Sequence, residues 1–282
     1  MSRVVSDSPV FESGHLVPVV TYLLILGVLS GLTLISTGES PSPILGMAWG
    51  VFLVLVGLAA LTVEGVSPRT HLPSTRSLVP VLGVLITFWA LYNLVAYGLA
   101  LSGVAGFDIA SSRVVAHPLP YLAALGSSLV FTAIPEELVF RTYLQSKAVA
   151  LVEGNVRRAV AIGVVVGTVL FALFHLPRWF FMSNHGIGPA LGSHLLGLTL
   201  AGLAYGLVYA VTRNLWLVAL FHATMNQPPF LLTIQIPSNL HLLVGIIEYA
   251  SIILFVLVTA YVTESAGISV TPARQEASQA SD

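Results

Sequence analysis

Glu136 and Glu137 stand side by side in the stretch Pro135-Glu136-Glu137-Leu138-Val139-Phe140-Arg141, which is flanked by apolar residues from Leu119 to Ala150. A carboxylate at bilayer depth costs about 3 kcal/mol or more unless it is paired or faces a wet cavity. On a helix, Glu137 and Arg141 are four residues apart and share a face, so the guanidinium neutralises that carboxylate. Glu136 points about 100° away and has no local partner. An unpaired carboxylate of this kind suits the transfer of a proton to or from water. For Glu137 and Arg141 the competing reading is an ion pair that only fixes helix packing. Pro135 is expected to kink the helix just ahead of the carboxylates and to free the carbonyl of Phe131.

Two further polar intrusions have helical spacing. Phe171 and His175 lie one turn apart, and so do His222 and Asn226. A lone histidine in a membrane helix is more often a hydrogen-bonded core residue than a catalyst. Register strengthens the case here. The turn after the glutamate helix centres near Asn155, 19 residues beyond Glu136 and 20 before His175, which makes those two level in an antiparallel hairpin. A second turn near Arg213 places His222 and Asn226 about 13 to 20 Å below it by helical rise. All four groups then fall in one layer.

The elements that must hold this layer are membrane helices. Of 282 residues, 56% are apolar and 8% charged, against about 25% charged in a soluble domain. The spacing predicts spans over about 16–36, 43–63, 78–101, 119–151, 156–177, 189–211, from 215, and 242–262. The fold class is therefore all-α, a polytopic transmembrane bundle of about eight spans. The fourth is longer than a bilayer core, so its end is expected to project into water. Pro228 and Pro229 either end the seventh span early or kink it. Residues 1–15 and 264–282 read as disordered tails, 16–117 as three N-terminal spans with their loops, and 118–263 as the catalytic core.

With eight spans both termini share a side. That side holds Arg3, Arg69, Arg76, Lys147, Arg157, Arg158, Arg213 and Arg274, and the other holds Arg113 and Arg178. Both termini and the polar layer are thus assigned to the cytoplasmic half. A net charge of −1 offers no basic surface for nucleic acid. The absence of cysteine excludes disulfides, thiol nucleophiles and cysteine-ligated zinc.

The set Glu136-Glu137-x-x-x-Arg141, Phe171-x-x-x-His175 and His222-x-x-x-Asn226, in this order on separate helices, resembles the signature of the CPBP (Abi) family of intramembrane proteases, which includes the type II CAAX prenyl endopeptidases. The resemblance covers about residues 119–236. It implies that Glu136 and His175 activate a water, that His222 and Asn226 hold the oxyanion, and that Glu137, Arg141 and Phe171 support them. It implies a membrane-lipid environment and a protein or prenylated peptide as substrate. No cofactor is favoured. A zinc-dependent version of the same reaction would use Glu136, His175 and His222. A proton-coupled transporter is the alternative from another class, because glutamate and histidine at membrane depth also build proton relays. A non-enzymatic scaffold is a third. His194 and Glu248 are expected to serve helix-to-helix hydrogen bonding, and Tyr205 and Tyr209 to serve packing.

Overall fold

In the computed structural model the described residues are 11–12, 14–36, 42–67 and 75–265. Eight helices carry the fold: α1 (Leu16–Ile35), α2 (Pro43–Val63), α3 (Leu78–Leu101), α4 (Pro118–Ala150), α5 (Val156–Phe174), α6 (Pro189–Thr212), α7 (Leu215–Asn226) and α8 (His241–Ser265). Among the described residues, seven helices are long and apolar enough to cross a membrane. The chain is an integral membrane protein. Leucine, isoleucine and valine side chains such as Val19, Leu55, Ile86 and Leu254 stay exposed on the outer helices, as expected where lipid is the solvent.

α7 departs from the expected eight full spans. It has 12 residues, about 18 Å of helix, and ends at Asn226 just before Pro228 and Pro229, so the prolines terminate it and do not kink it. The chain then runs on in extended form to strand β2 (Leu232–Ile234), which pairs antiparallel with β1 (Phe107–Ser111) from the loop between α3 and α4. Residues 215–237 thereby still return to the α3–α4 end of the bundle. This small sheet is absent from an all-α expectation, because its strands are only five and three residues long. Asn93 secures the extended run, donating to the Pro229 carbonyl at 3.1 Å and accepting from the Leu231 N–H at 2.8 Å.

α4 runs through the centre of the bundle. Pro135, Glu136 and Glu137 are buried, and every residue from Leu138 to Gln145 is buried as well. Its helix widens to π geometry at Leu129–Ala133, directly before Pro135, and again at Leu138–Gln145. A wide turn accommodates the missing proline N–H and re-aims the residues after it. α2 lies against this region. A Cβ added to Gly50 would run into the backbone carbonyl of Phe131, so only glycine lets the two helices approach this closely.

Two expectations fail at the other end of α4. Lys147 does not project into water: it is 1% exposed, and its Nζ lies 2.6 Å from Glu64 Oε2 at the end of α2. Tyr143 donates to the same carboxylate at 3.2 Å. The last residues of the presumed N-terminal tail join this cluster, Phe11 lying under the Lys147 ammonium at 5.0 Å and Glu12 N–H donating to the Glu64 carbonyl. A buried cation found a carboxylate 83 positions away in sequence, which local spacing does not reveal. The remaining parts of the two expected tails, residues 1–10, 13 and 266–282, lie outside the described residues, as does most of the polar loop over 65–77.

Candidate active site

Two asparagine caps set the register of the helices that carry the histidines. The Asn155 side chain accepts from the N–H groups of Arg157 and Arg158 at 2.9 and 3.2 Å and starts α5. Asn214 accepts from the Leu217 N–H at 3.3 Å and starts α7, just after Arg213 turns left-handed with φ 50°. Both turns fall where the sequence spacing puts them. Counting down from them brings His175 and His222 to the level of the α4 glutamates.

Glu136, His175, His222 and Asn226 line one polar cavity of about 560 Å³, together with Ala124, Ser127, Ser128, Thr132, Arg178 and Gln227. Glu136 Oε2 is buried and has no hydrogen-bond partner among the described residues. It faces His222 Nε2 at 3.9 Å, too far for a direct hydrogen bond, and so both atoms stay free to act on a third group. His175 directs Nδ1 at the Phe171 carbonyl, 2.8 Å away. A carbonyl only accepts, so Nδ1 carries the hydrogen and Nε2 keeps its lone pair.

Glu137 does more than the brace its spacing suggests. One of its oxygens accepts from Arg141 Nε at 2.9 Å, and the other meets His222 Nδ1 at 2.7 Å. The carboxylate fixes the tautomer and the ring orientation of the imidazole, as an outer-shell carboxylate does for a working histidine. No sequence signal gave this contact, since the two residues are 85 positions apart.

Phe171 holds the group together from beneath. It is 2% exposed, with ring centroids 4.8 Å from His175 and 6.0 Å from His222, and the Arg141 guanidinium lies 5.1 Å over its face. Tyr205 stacks on His222 at 5.0 Å and 16°. It is a packing residue, as expected, but its partner is the site imidazole. Asn226 reaches Ser128 Oγ at 3.4 Å, a cavity residue the motifs did not indicate.

All seven expected site residues therefore meet in this one region. Residues 118–227 match the family described as type II CAAX prenyl endopeptidase Rce1-like. The matched stretch, 110 of the 282 residues, is similar to that family. No curated protein and no solved structure matches the chain. The matched stretch begins with α4 and ends one residue beyond α7, so it contains every glutamate, histidine and asparagine of the cavity. α8 and α1–α3 lie outside it and pack around it.

The two membrane-depth residues left aside by the motifs are also placed. Glu248 accepts from the Tyr92 hydroxyl at 2.6 Å, an α8-to-α3 hydrogen bond as expected. His194 instead stacks on Trp179 at 4.7 Å and 24°. Trp179 belongs to the π turn Arg178–Met182, which follows α5, so the contact joins that turn to α6.

Proposed function

We propose that this protein is an intramembrane endopeptidase that cleaves a prenylated, CAAX-type protein C-terminus with an activated water. The observation that carries the reading is the Glu136 Oε2 atom, without a hydrogen bond among the described residues, in a cavity shared with His175, His222 and Asn226. In hydrolysis Glu136 takes a proton from water, and the Nε2 lone pair of His175 accepts from the same water or passes its proton on. The hydroxide attacks the scissile carbonyl and forms a tetrahedral oxyanion. Asn226 Nδ2 and His222 Nε2 then donate to that oxygen where bulk water is excluded. For His222 to donate from Nε2 while Nδ1 stays on Glu137, both ring nitrogens carry hydrogen. Collapse of the intermediate breaks the C–N bond, and the proton held by Glu136 goes to the leaving amine.

We favour this route without a metal. Among the described residues no group of three His, Asp or Glu side chains is arranged to hold one. The side facing the cytoplasm is proposed from charge: the turns near Asn155 and Arg213 face it. From the reacting groups the cavity continues away from those turns, past Thr132, Ser128 and Ala124.

The test is incubation of the detergent-purified chain with a farnesylated CAAX peptide and mass mapping of the new termini. Release of the last three residues supports the reading. No cleavage of this peptide, with cleavage of unprenylated membrane peptides instead, removes the CAAX part of it.

A further inference from the structure

We propose that α8 belongs to the catalytic apparatus: its Tyr249 braces Tyr205, and Tyr205 fixes the plane of the His222 imidazole. The inference rests on the endopeptidase reading above and adds two positioning residues to it, one of them outside the stretch that matches the family.

Glu137 holds the His222 ring at one point, through Nδ1 at 2.7 Å. A single hydrogen bond fixes that nitrogen but leaves the ring free to tilt about it, and tilting swings Nε2 across the cavity. Nε2 is the atom that meets the oxyanion, and such a donor works only when it is aimed where that oxygen will sit. The plane of the ring therefore needs its own support. Tyr205 supplies it, with ring centroids 5.0 Å apart and 16° between the planes, whereas Phe171 meets the same imidazole edge-on at 6.0 Å and 81°.

Tyr205 is itself held from two sides. One residue on, the Gly206 carbonyl accepts from Gln145 Nε2 at 2.9 Å, which ties α6 to the central helix α4 at this level. From the other side Tyr249 meets the phenol ring edge-to-face, with centroids 6.0 Å apart and the rings at 82°. Tyr249 lies on the one stripe of α8 that faces protein: Ile252 and Val256, three and seven positions on, are buried, while Leu242, Ile247, Leu254 and Val258 are exposed. Its neighbour Glu248 accepts from the Tyr92 hydroxyl of α3 at 2.6 Å, so the level of α8 is set by a polar contact beside the tyrosine. A continuous chain of contacts thus runs from α3 through α8 and α6 to the site imidazole.

The test is kinetic and spectroscopic, on the full chain in detergent. With the farnesylated CAAX peptide, Tyr205→Leu is expected to lower kcat by about 10- to 100-fold and to leave KM within about threefold. Tyr205→Phe keeps the ring and is expected to recover most of that loss. Tyr249→Leu removes no group from the cavity, yet kcat is expected to fall by about 3- to 10-fold with KM again little changed. Proton spectra of the chain carrying isotope-labelled histidine read the stack itself, the His222 signals being assigned by their loss in His222→Gln. Shielding by the Tyr205 face should move those signals upfield in wild type, disappear in Tyr205→Leu and change in Tyr249→Leu. If Tyr205→Leu fails to fold, Tyr249→Leu carries the test by both readouts. His222 signals and kcat that ignore Tyr249→Leu overturn the proposal, and so does a folded Tyr205→Leu protein with undiminished kcat. Shielded signals that respond to Tyr249→Leu in a chain that cleaves no peptide would keep the positioning role and remove the endopeptidase reading. Cleavage by a wild-type protein whose His222 signals are unshielded would do the reverse.

Discussion

His222 is held by Glu137, its Nδ1 2.7 Å from one oxygen of that carboxylate while Arg141 occupies the other. The Glu-Glu pair thus divides its work. The second glutamate is spent on orienting an imidazole and balancing a guanidinium, and the first is left open to the cavity.

That division predicts different outcomes for neighbouring substitutions. Glu137→Gln keeps an acceptor for one partner but loses the charge, and activity is expected to fall by roughly 10- to 100-fold. Glu137→Ala leaves the Arg141 charge buried without a partner, at a cost of about 3–5 kcal/mol. Melting curves in detergent beside peptide cleavage rates separate the two: Gln should lose mainly rate, and Ala both rate and folded protein.

Coupling between His222 and Glu137 is expected to be non-additive. Residues that act as a unit lose most of their effect with the first substitution. Kinetics of Glu137→Gln, His222→Gln and the double variant test this. A double variant little worse than His222→Gln alone agrees with the contact, whereas multiplied losses would show that the two act separately.

Gly50 is expected to tolerate no side chain. Gly50→Val drives a branched Cβ into the Phe131 carbonyl and should destabilise the fold by about 1–3 kcal/mol, with loss of activity because Phe131 leads into the glutamate segment. Gly27 has nothing within 4 Å of an added Cβ, so Gly27→Val provides the control. Thermal unfolding of both in the same detergent decides the matter.

The absence of cysteine makes sidedness measurable directly. Single cysteines at Asn155 and at Asp108 sit at opposite ends of the bundle. A membrane-impermeant maleimide is expected to label position 155 only after the membrane is opened, and position 108 in intact cells. The opposite pattern would reverse the charge-based orientation and turn the Ala124 end of the cavity towards the cytoplasm.

Much of this arrangement is legible in the sequence because helical spacing and turn position are local properties. Glu137 and Arg141 pair as their four-residue separation requires, and Asn155 and Asn214 cap where the apolar runs begin, so His175 and His222 come out level. What stayed hidden joins distant positions. The Glu137–His222 bond spans 85 residues and the Glu64–Lys147 pair 83, and neither leaves a periodic trace. The β1–β2 pair was hidden for another reason: strands of five and three residues are too short to show alternation. The short α7 was only partly readable, since Pro228 and Pro229 signal a break without saying whether the helix resumes.

The central claim is that Glu136 activates the attacking water without a metal. It is tested most directly by cleavage of the farnesylated CAAX peptide after exhaustive chelation, with wild-type and Glu136→Gln proteins matched for folded content. Wild type is expected to keep its full rate, and Glu136→Gln to lose at least about 100-fold. A wild-type rate that collapses on chelation and returns with zinc, or a Glu136→Gln rate equal to wild type, would contradict the account.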